Sequence, residues 1–178
     1  MTKNAIIFHG TGGNPDAVWY PWLDHQLTER GYRVERPHHP GINVEPIAEF
    51  LPKVLVAHDF TSDTVLIGHS GGAALLLAVL ENLEDSVAQT ILVAGYSTRV
   101  NGSEEPVLQN TYDWDRIRTH GGDLYFINSV EDPYGCDADQ GRILFDHLGG
   151  TQIIRNEGHF GDYDQPFETF ELLDGLIR

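Results

Sequence analysis

Five consecutive residues near the middle of the chain carry the strongest chemical signal in the sequence. They are Gly68, His69, Ser70, Gly71 and Gly72, and they fit the pattern Gly-x-Ser-x-Gly. In that pattern a sharp turn between a strand and a helix exposes the serine hydroxyl, and small neighbours let the turn close. The apolar stretches 64–68 and 72–83 flank the motif as such a turn requires. Ser70 is therefore predicted to be a nucleophile, with an idle serine in a glycine-rich loop as the alternative.

A serine hydroxyl is a weak nucleophile unless a neighbouring base accepts its proton. Three histidines in the second half of the chain compete for this role. His159 follows the predicted strand 151–155, whereas His147 lies inside a predicted helix and His120 lies in an irregular stretch. Because reacting groups on a parallel sheet meet beyond the carboxyl ends of its strands, His159 is predicted to be the general base.

The base in turn needs a carboxylate that orients its ring. Asp132 follows the predicted strand 124–128, and its neighbour Glu131 is the rival. We favour Asp132 because Pro133 fixes the turn directly after it. Nucleophile, acid and histidine then occur along the chain in the order that accompanies this serine turn on parallel sheets.

A glycine-rich stretch, residues 9–13, follows the first predicted strand. Cleavage of an ester or amide passes through a tetrahedral oxyanion, which main-chain N–H donors stabilise. Gly71 is predicted to supply one donor, and either Gly10 or Thr11, with Thr11 preferred, is predicted to supply the second. The stretch runs into Pro15 and does not fit a Gly-x-Gly-x-x-Gly fingerprint. No nucleotide site is therefore predicted.

Short apolar runs rich in β-formers alternate with longer helical patterns from one end of the chain to the other. The predicted strands are residues 4–8, 32–36, 64–68, 89–94, 124–128 and 151–155, and the predicted helices are residues 17–29, 45–58, 72–83, 139–148 and 166–177. This alternation is typical of a parallel sheet with helices on both faces. We predict one α/β domain over residues 1–178, with about six parallel strands in the order 2-1-3-4-5-6. That order places residues 9–13 and the serine motif at the switch point where such sheets bind ligands.

The stretch 96–122 has no clear period, and one short helix near Trp114 is the only regular element predicted there. Long irregular connections in compact domains are often lids or binding loops. Trp114 and Phe160 flank the predicted site loops and are expected to line the substrate pocket. Acidic residues near the expected mouth suggest a preference for substrates that carry an amine: Glu104, Glu105, Asp113 and Asp115.

Composition narrows the class of protein. The formal net charge is −16, from 27 acidic and 11 basic residues, and a surface of that sign repels nucleic-acid backbones. The single cysteine, Cys136, allows no internal disulfide, and no apolar run is long enough for a signal peptide or a membrane span. The pairs His38-His39 and His58-Asp59 lack a third ligand at a typical spacing, so no metal site is predicted. We expect a cytoplasmic protein that binds neither nucleic acid nor membrane.

Several of these stretches together resemble the small serine-hydrolase family that includes retinoblastoma-binding protein nine and the bacterial YdeN proteins. The matching residues are 6–10 with Gly12-Gly13, 19–23, 68–72, 132–134 and 158–160. The resemblance covers nearly the whole chain, and it implies a compact α/β-hydrolase fold without a large cap domain. It also implies a catalytic triad of Ser70, Asp132 and His159 that needs no cofactor.

The expected activity is therefore hydrolysis of small esters or amides through an acyl-enzyme on Ser70. The resemblance extends the expected substrates to aminoacyl derivatives. The alternative is a catalytically silent binding module on the same fold, because fold alone does not guarantee function. No retinoblastoma-type pocket protein is expected as a partner, because the residues around Cys136 do not form a Leu-x-Cys-x-Glu motif.

Overall fold

Parallel strands alternate with helices through residues 3–178, the part of the chain that the structure, a computed structural model, describes. The strands in this part are β1 (Asn4–Phe8), β2 (Arg33–Glu35), β3 (Thr64–His69), β4 (Gln89–Val93), β5 (Asp123–Ser129) and β6 (Thr151–Arg155). The helices are α1 (Tyr20–Glu29), α2 (Ile47–Ala57), α3 (Gly71–Asn82), α4 (Trp114–His120), α5 (Ala138–Leu148) and α6 (Glu171–Leu176). The strands form one parallel sheet in the order β2-β1-β3-β4-β5-β6. The predicted fold class and strand order are confirmed.

The centre of the sheet is the most deeply buried part of the fold. Every residue of β1, β3 and β4 is buried, as expected for strands that helices cover on both faces. Helix α3 follows β3 directly and packs between α2 and α4. Its residues from Gly71 to Leu80 are all buried, so the helix after the serine motif is an internal element rather than an amphipathic surface helix. This burial holds the start of α3 rigidly against the sheet.

Two helices begin at least three residues later than their hydrophobic patterns indicated. Helix α1 begins at Tyr20 instead of residue 17, and α6 begins at Glu171 instead of residue 166. Phe167 and Phe170 precede α6, and their rings pack against other aromatic rings instead of forming one face of a helix. The ring of Phe170 lies 5.4 Å from Phe160 and 5.6 Å from Trp19. An aromatic cluster therefore produced the same spacing of apolar residues that a helix would.

The irregular stretch 96–122 follows β4 and leads into β5. Its one helix, α4, begins at Trp114 as expected, where the side chain of Asp113 caps it by accepting from the Arg116 N–H. None of the helices in residues 3–178 has the length and apolar character needed to cross a membrane.

Candidate active site

Ser70 occupies the sharp turn between β3 and α3. Its backbone has φ 55° and ψ −119°, a conformation that a residue with a side chain adopts only when its surroundings hold it there. Its N–H donates to the carbonyl of Val93 at the end of β4, at 2.8 Å. A Cβ atom on Gly72 would lie 2.5 Å from the carbonyl oxygens of Phe8 and His9, so only glycine lets α3 approach β1 this closely. Together these contacts present the Ser70 side chain at the sheet edge.

The predicted base and acid are directly bonded to each other. Nδ1 of His159 lies 2.7 Å from Oδ2 of Asp132, and the two side chains are 7% and 0% exposed. The N–H of Tyr134 donates to the other carboxylate oxygen, Oδ1, at 2.8 Å. Because both oxygens of Asp132 accept hydrogen bonds, the carboxylate is held in one orientation toward the ring. With Nδ1 donating to Asp132, Nε2 of the neutral ring is the acceptor nitrogen, and His159 lines the same cavity as Ser70.

The rival residues lie elsewhere. Glu131 is exposed to solvent. His120, at the end of α4, donates from Nδ1 to the carbonyl of Leu80, and the ring of His147 stacks on Trp114 at 4.3 Å. Of the candidates weighed from the sequence, the structure brings only Asp132 and His159 together at the serine.

The glycine-rich loop after β1 lies against the serine turn. A Cβ on Gly10 would lie 3.3 Å from Cβ of Ser70, and a Cβ on Gly71 would lie 3.2 Å from the backbone nitrogen of Thr11. The N–H of Gly10 points to the hydroxyl of Tyr20, at 3.4 Å. In residues 3–178 the N–H groups of Thr11 and Gly71 have no acceptor in the protein, and Gly71 begins a helix, where an N–H is ordinarily free. Thr11 and Gly71 are thus the better placed pair of donors.

A chain of hydrogen bonds that the sequence did not predict links three of the site loops. The buried ring of His69 lies 2.7 Å from the His159 carbonyl through Nε2 and 2.6 Å from the Tyr20 hydroxyl through Nδ1. A carbonyl only accepts, so Nε2 of His69 carries the proton and Nδ1 accepts from Tyr20. Burial, together with the nearby His159, lowers the pKa of His69 to about 3 and keeps the ring neutral. The hint in the sequence was the histidine inside the serine motif itself.

Cys136 is a second site residue that sequence reasoning left out. Its side chain is buried and lines the same cavity as Ser70. Burial and the neighbouring carboxylate of Asp132 raise the pKa of the thiol. Cys136 is therefore present as the neutral thiol and does not act as a competing nucleophile.

A cavity of about 420 Å³ opens over these groups. Ser70, His159 and Cys136 line its floor, and Thr11 and Tyr96 are among its walls. The volume is within the range of sites for small molecules.

Neither aromatic residue expected to line the pocket lies in this cavity. Trp114 begins α4 and stacks on His147 and Tyr112. Phe160 is fully buried against Phe170 and faces the core. Both side chains follow or precede site loops in the chain, but helix packing and the aromatic cluster turn them away from the serine.

The acidic residues are also distributed differently from the expectation. Glu104 pairs with Arg99 at the surface, and Asp113 and Asp115 belong to the start of α4. Of the four, only Glu105 lines the cavity, where it accepts from the hydroxyl of Tyr96 at 2.8 Å.

Asp162 is a further acidic residue of the cavity. Burial alone would raise its pKa, but N–H groups of Asp164 and Gln165 donate to the carboxylate and hold the pKa below its usual value. Among the described residues that line the cavity there is no Lys or Arg. The cavity therefore has an anionic side without a protein cation to neutralise it.

Comparison with known proteins addresses the family directly. A sequence model of the serine hydrolase family matches residues 5–176. The chain belongs to this family. YdeN of Bacillus subtilis strain 168, named as a hydrolase, is 24% identical over 170 residues, which are 89% of this chain and 90% of YdeN.

Solved structures agree on the fold of this serine hydrolase. The crystal structure of YdeN from B. subtilis superposes with a TM-score of 0.89 at 22% identity, over 98% of this chain and 96% of YdeN. Est1E of Butyrivibrio proteoclasticus with ferulic acid bound has a TM-score of 0.67 at 13% identity, over 97% and 85% of the two chains. A monoacylglycerol lipase of Paleococcus ferrophilus has a TM-score of 0.65 at 12% identity, over 90% and 88%. At these identities the likeness concerns the fold alone.

Proposed function

We propose that this serine hydrolase cleaves small esters or amides through an acyl-enzyme on Ser70. The observation that carries the proposal is the buried hydrogen bond of 2.7 Å between His159 and Asp132, beside a serine held in a strained turn at the same cavity. In acyl transfer such a pair acts as the general base: the ring accepts a proton, and the fixed carboxylate stabilises the positive charge that results. A merely structural histidine at this position would not need an ionised, desolvated partner.

In the proposed reaction Nε2 of His159 takes the proton of the Ser70 hydroxyl as the oxygen attacks the carbonyl carbon. The N–H groups of Thr11 and Gly71 stabilise the resulting oxyanion. His159 then gives the proton to the leaving alcohol or amine, and the acyl group remains on Ser70. Water, deprotonated by His159, attacks the acyl-enzyme and returns the serine to its free state.

The test is intact-mass spectrometry after exposure to a fluorophosphonate probe. We expect one adduct, which peptide mapping assigns to Ser70 and which Ser70→Ala abolishes. Ser103→Ala is the matched control, because Ser103 also lines the cavity but does not occupy the strained turn before α3, and it should keep the adduct. Turnover of an activated ester should fall by a factor on the order of 10⁴ to 10⁶ in Ser70→Ala.

The opposite result supports the alternative of a silent binding module. Folded wild-type protein that forms no adduct, or Ser70→Ala protein that retains turnover after clean purification, contradicts the proposed nucleophile. Adduct formation on Ser103 would relocate the nucleophile within the same cavity.

Within esters and amides, we propose that substrates with a free amine on the acyl group are preferred. The support is the anionic side of the cavity formed by Glu105 and Asp162, without a lining Lys or Arg among the described residues. The assay compares activated esters of leucine and of 4-methylpentanoate, which differ by the amine alone. An ion pair with partly exposed carboxylates contributes up to about 1 kcal/mol, so kcat/KM should favour the leucine ester by roughly fivefold. Equal values for the two esters would contradict the preference.

A further inference from the structure

Three side chains at the site form a cluster of metal-binding atoms that hydrolysis does not explain. One ligand atom each from Asp132, Cys136 and His159 lie within 4.8 Å of one another. Two of these residues have roles in the proposed reaction, but the thiol of Cys136 has none. The three supply a carboxylate oxygen, an imidazole nitrogen and a sulfur, and this combination suits Zn²⁺ better than it suits Mg²⁺ or Ca²⁺.

The loop after β5 places the acid and the thiol on the same side. Asp132 and Cys136 are separated by one tight turn, in which the Gly135 N–H donates to the Asp132 carbonyl at 3.0 Å. The side-chain amide of Asn128 donates to the Cys136 carbonyl at 3.0 Å and anchors the end of this turn. His159 arrives from the loop after β6 and meets both. Hydrogen bonds thus fix the loop that carries Asp132 and Cys136, and the side chains of all three residues are buried.

The distances are close to those of a coordination sphere. Zn²⁺ binds sulfur at about 2.3 Å and nitrogen or oxygen at about 2.0 to 2.2 Å, so ligand atoms at a tetrahedral ion lie roughly 3.4 to 3.7 Å apart. Atoms within 4.8 Å of one another reach this arrangement by moving about 1 Å. The Nδ1 of His159 and the Oδ2 of Asp132, at 2.7 Å, would move apart by about the same amount. Side-chain rotation supplies such shifts without rearrangement of the loops.

We propose that Asp132, Cys136 and His159 form an inhibitory site for Zn²⁺, which blocks hydrolysis by binding the histidine that acts as the base. The ion replaces the thiol proton, which passes to solvent, and binds the carboxylate and a ring nitrogen; no electron is transferred. If Nε2 binds the ion, the lone pair that accepts the Ser70 proton is occupied. If Nδ1 binds it, the ring proton must sit on Nε2, which then cannot accept. The inhibitory effect rests on the proposed function, whereas the binding itself does not.

Metal binding is tested first on Ser70→Ala protein, which keeps all three ligands and performs no hydrolysis. Titration with Co²⁺ should produce the near-ultraviolet charge-transfer absorption of a thiolate bound to cobalt, with one equivalent at saturation. Isothermal titration of Zn²⁺ gives the affinity. Cys136→Ser, in the same Ser70→Ala background, should remove the absorption and weaken Zn²⁺ binding by at least about 100-fold, since even the loss of an outer partner of a zinc ligand costs about 10- to 100-fold.

A separate group of two histidines and a glutamate serves as the matched control. Nε2 of His39 lies 2.8 Å from Nε2 of His58, whose Nδ1 faces Glu35 at 3.0 Å. His58→Gln, also in the Ser70→Ala background, should leave both the cobalt absorption and the Zn²⁺ affinity unchanged. Loss of binding in His58→Gln with retention in Cys136→Ser would overturn the proposal and assign the ion to that group.

The remaining outcomes separate this inference from the proposed function. Folded Ser70→Ala protein that binds no Zn²⁺, or that binds Co²⁺ without thiolate absorption, overturns the metal site even if the enzyme is an active hydrolase. Should Cys136→Ser fail to fold, the cobalt spectrum of Ser70→Ala decides alone. With wild-type enzyme, Zn²⁺ should inhibit ester turnover at the concentration at which it binds. Binding without inhibition would overturn the inhibitory role and leave the hydrolase assignment intact.

Discussion

Replacing Asp132 by asparagine changes one atom of the site and should disable its base. At present Oδ1 accepts from the Tyr134 N–H at 2.8 Å, and Oδ2 accepts from Nδ1–H of His159 at 2.7 Å. An asparagine has a single oxygen for these two donors. If its oxygen stays on Tyr134, its NH₂ group faces Nδ1, which must then lose its proton to Nε2. The ring now presents an N–H to Ser70 and cannot accept the serine proton.

The magnitude follows from the two losses involved. Turning the amide so that its oxygen faces His159 would set its NH₂ against the Tyr134 N–H, and a buried unsatisfied donor costs about 1 to 3 kcal/mol. The carboxylate also no longer stabilises the imidazolium, a Coulomb interaction of about 4 kcal/mol at 4 Å in surroundings of intermediate dielectric. The sum, roughly 5 to 7 kcal/mol, corresponds to a fall in kcat/KM on the order of 10⁴ to 10⁵.

The assay is steady-state turnover of an activated ester by Asp132→Asn, with Glu131→Gln as the matched control. Glu131 is the adjacent carboxylate and is exposed, so its replacement should change kcat/KM by less than about twofold. Circular dichroism and thermal unfolding establish that both variants are folded. If Asp132→Asn kept its activity within a factor of about ten, or if Glu131→Gln lost it, the orienting role assigned to Asp132 would be wrong.

Three further predictions concern the donors, the buried histidine and the acidic wall. Gly71→Ala puts a methyl group against the side chain of Thr11 and 3.2 Å from its nitrogen. The value of kcat should therefore fall on the order of 10²- to 10³-fold. In the control Gly175→Ala the new methyl group meets no atom within 4 Å, and kcat should not change. The pKa of His69 is lowered to about 3 in the native protein. As the pH falls below about 6.5, the histidine of the unfolded chain therefore binds a proton, whereas the native ring stays neutral. His69 should therefore contribute about 2 kcal/mol to the loss of unfolding free energy between pH 7 and pH 5, measured by urea denaturation as the part of that loss absent in His69→Gln; an equal loss in both proteins would contradict the neutral ring. Asp162→Asn should bring the kcat/KM values of the leucine and 4-methylpentanoate esters closer together, and an unchanged ratio would remove Asp162 from amine recognition.

Most of the fold could be predicted from the sequence because apolar residues recur with a different period in strands than in helices. Strands β1 and β6 begin and end at the predicted residues, and the other strands differ by at most one residue at either end. Strands with buried apolar runs, separated by helices, leave few arrangements other than a parallel sheet with right-handed crossovers. The order of the strands then followed, and with it the edge at which the loops gather. The late start of α6 shows where periodicity fails, since contacts among aromatic rings reproduced the spacing of a helix.

The candidate triad was accessible for the same reason. Ser70, Asp132 and His159 each follow a strand, and parallel strands deliver their following residues to one edge. Residue type and position after a strand were therefore enough to propose them, and in the structure His159 bonds to Asp132 and lines the same cavity as Ser70. Trp114 and Phe160 also flank site loops, yet their side chains point into helix packing and the core, because the direction of a side chain depends on neighbours that are distant in the chain.

What the sequence by itself determined is the class of the protein: a parallel α/β sheet, a serine turn, and an acid and a base in the matching chain order. Only the tertiary structure decided which other groups surround that chemistry. Tyr20 meets His69 across 49 residues, and His69 meets the His159 carbonyl across 90. Cys136 lines the same cavity as Ser70 but comes from another loop, and no motif includes both. Contacts between such distant residues arise from the packing of whole helices and strands, so they cannot be predicted from local sequence patterns.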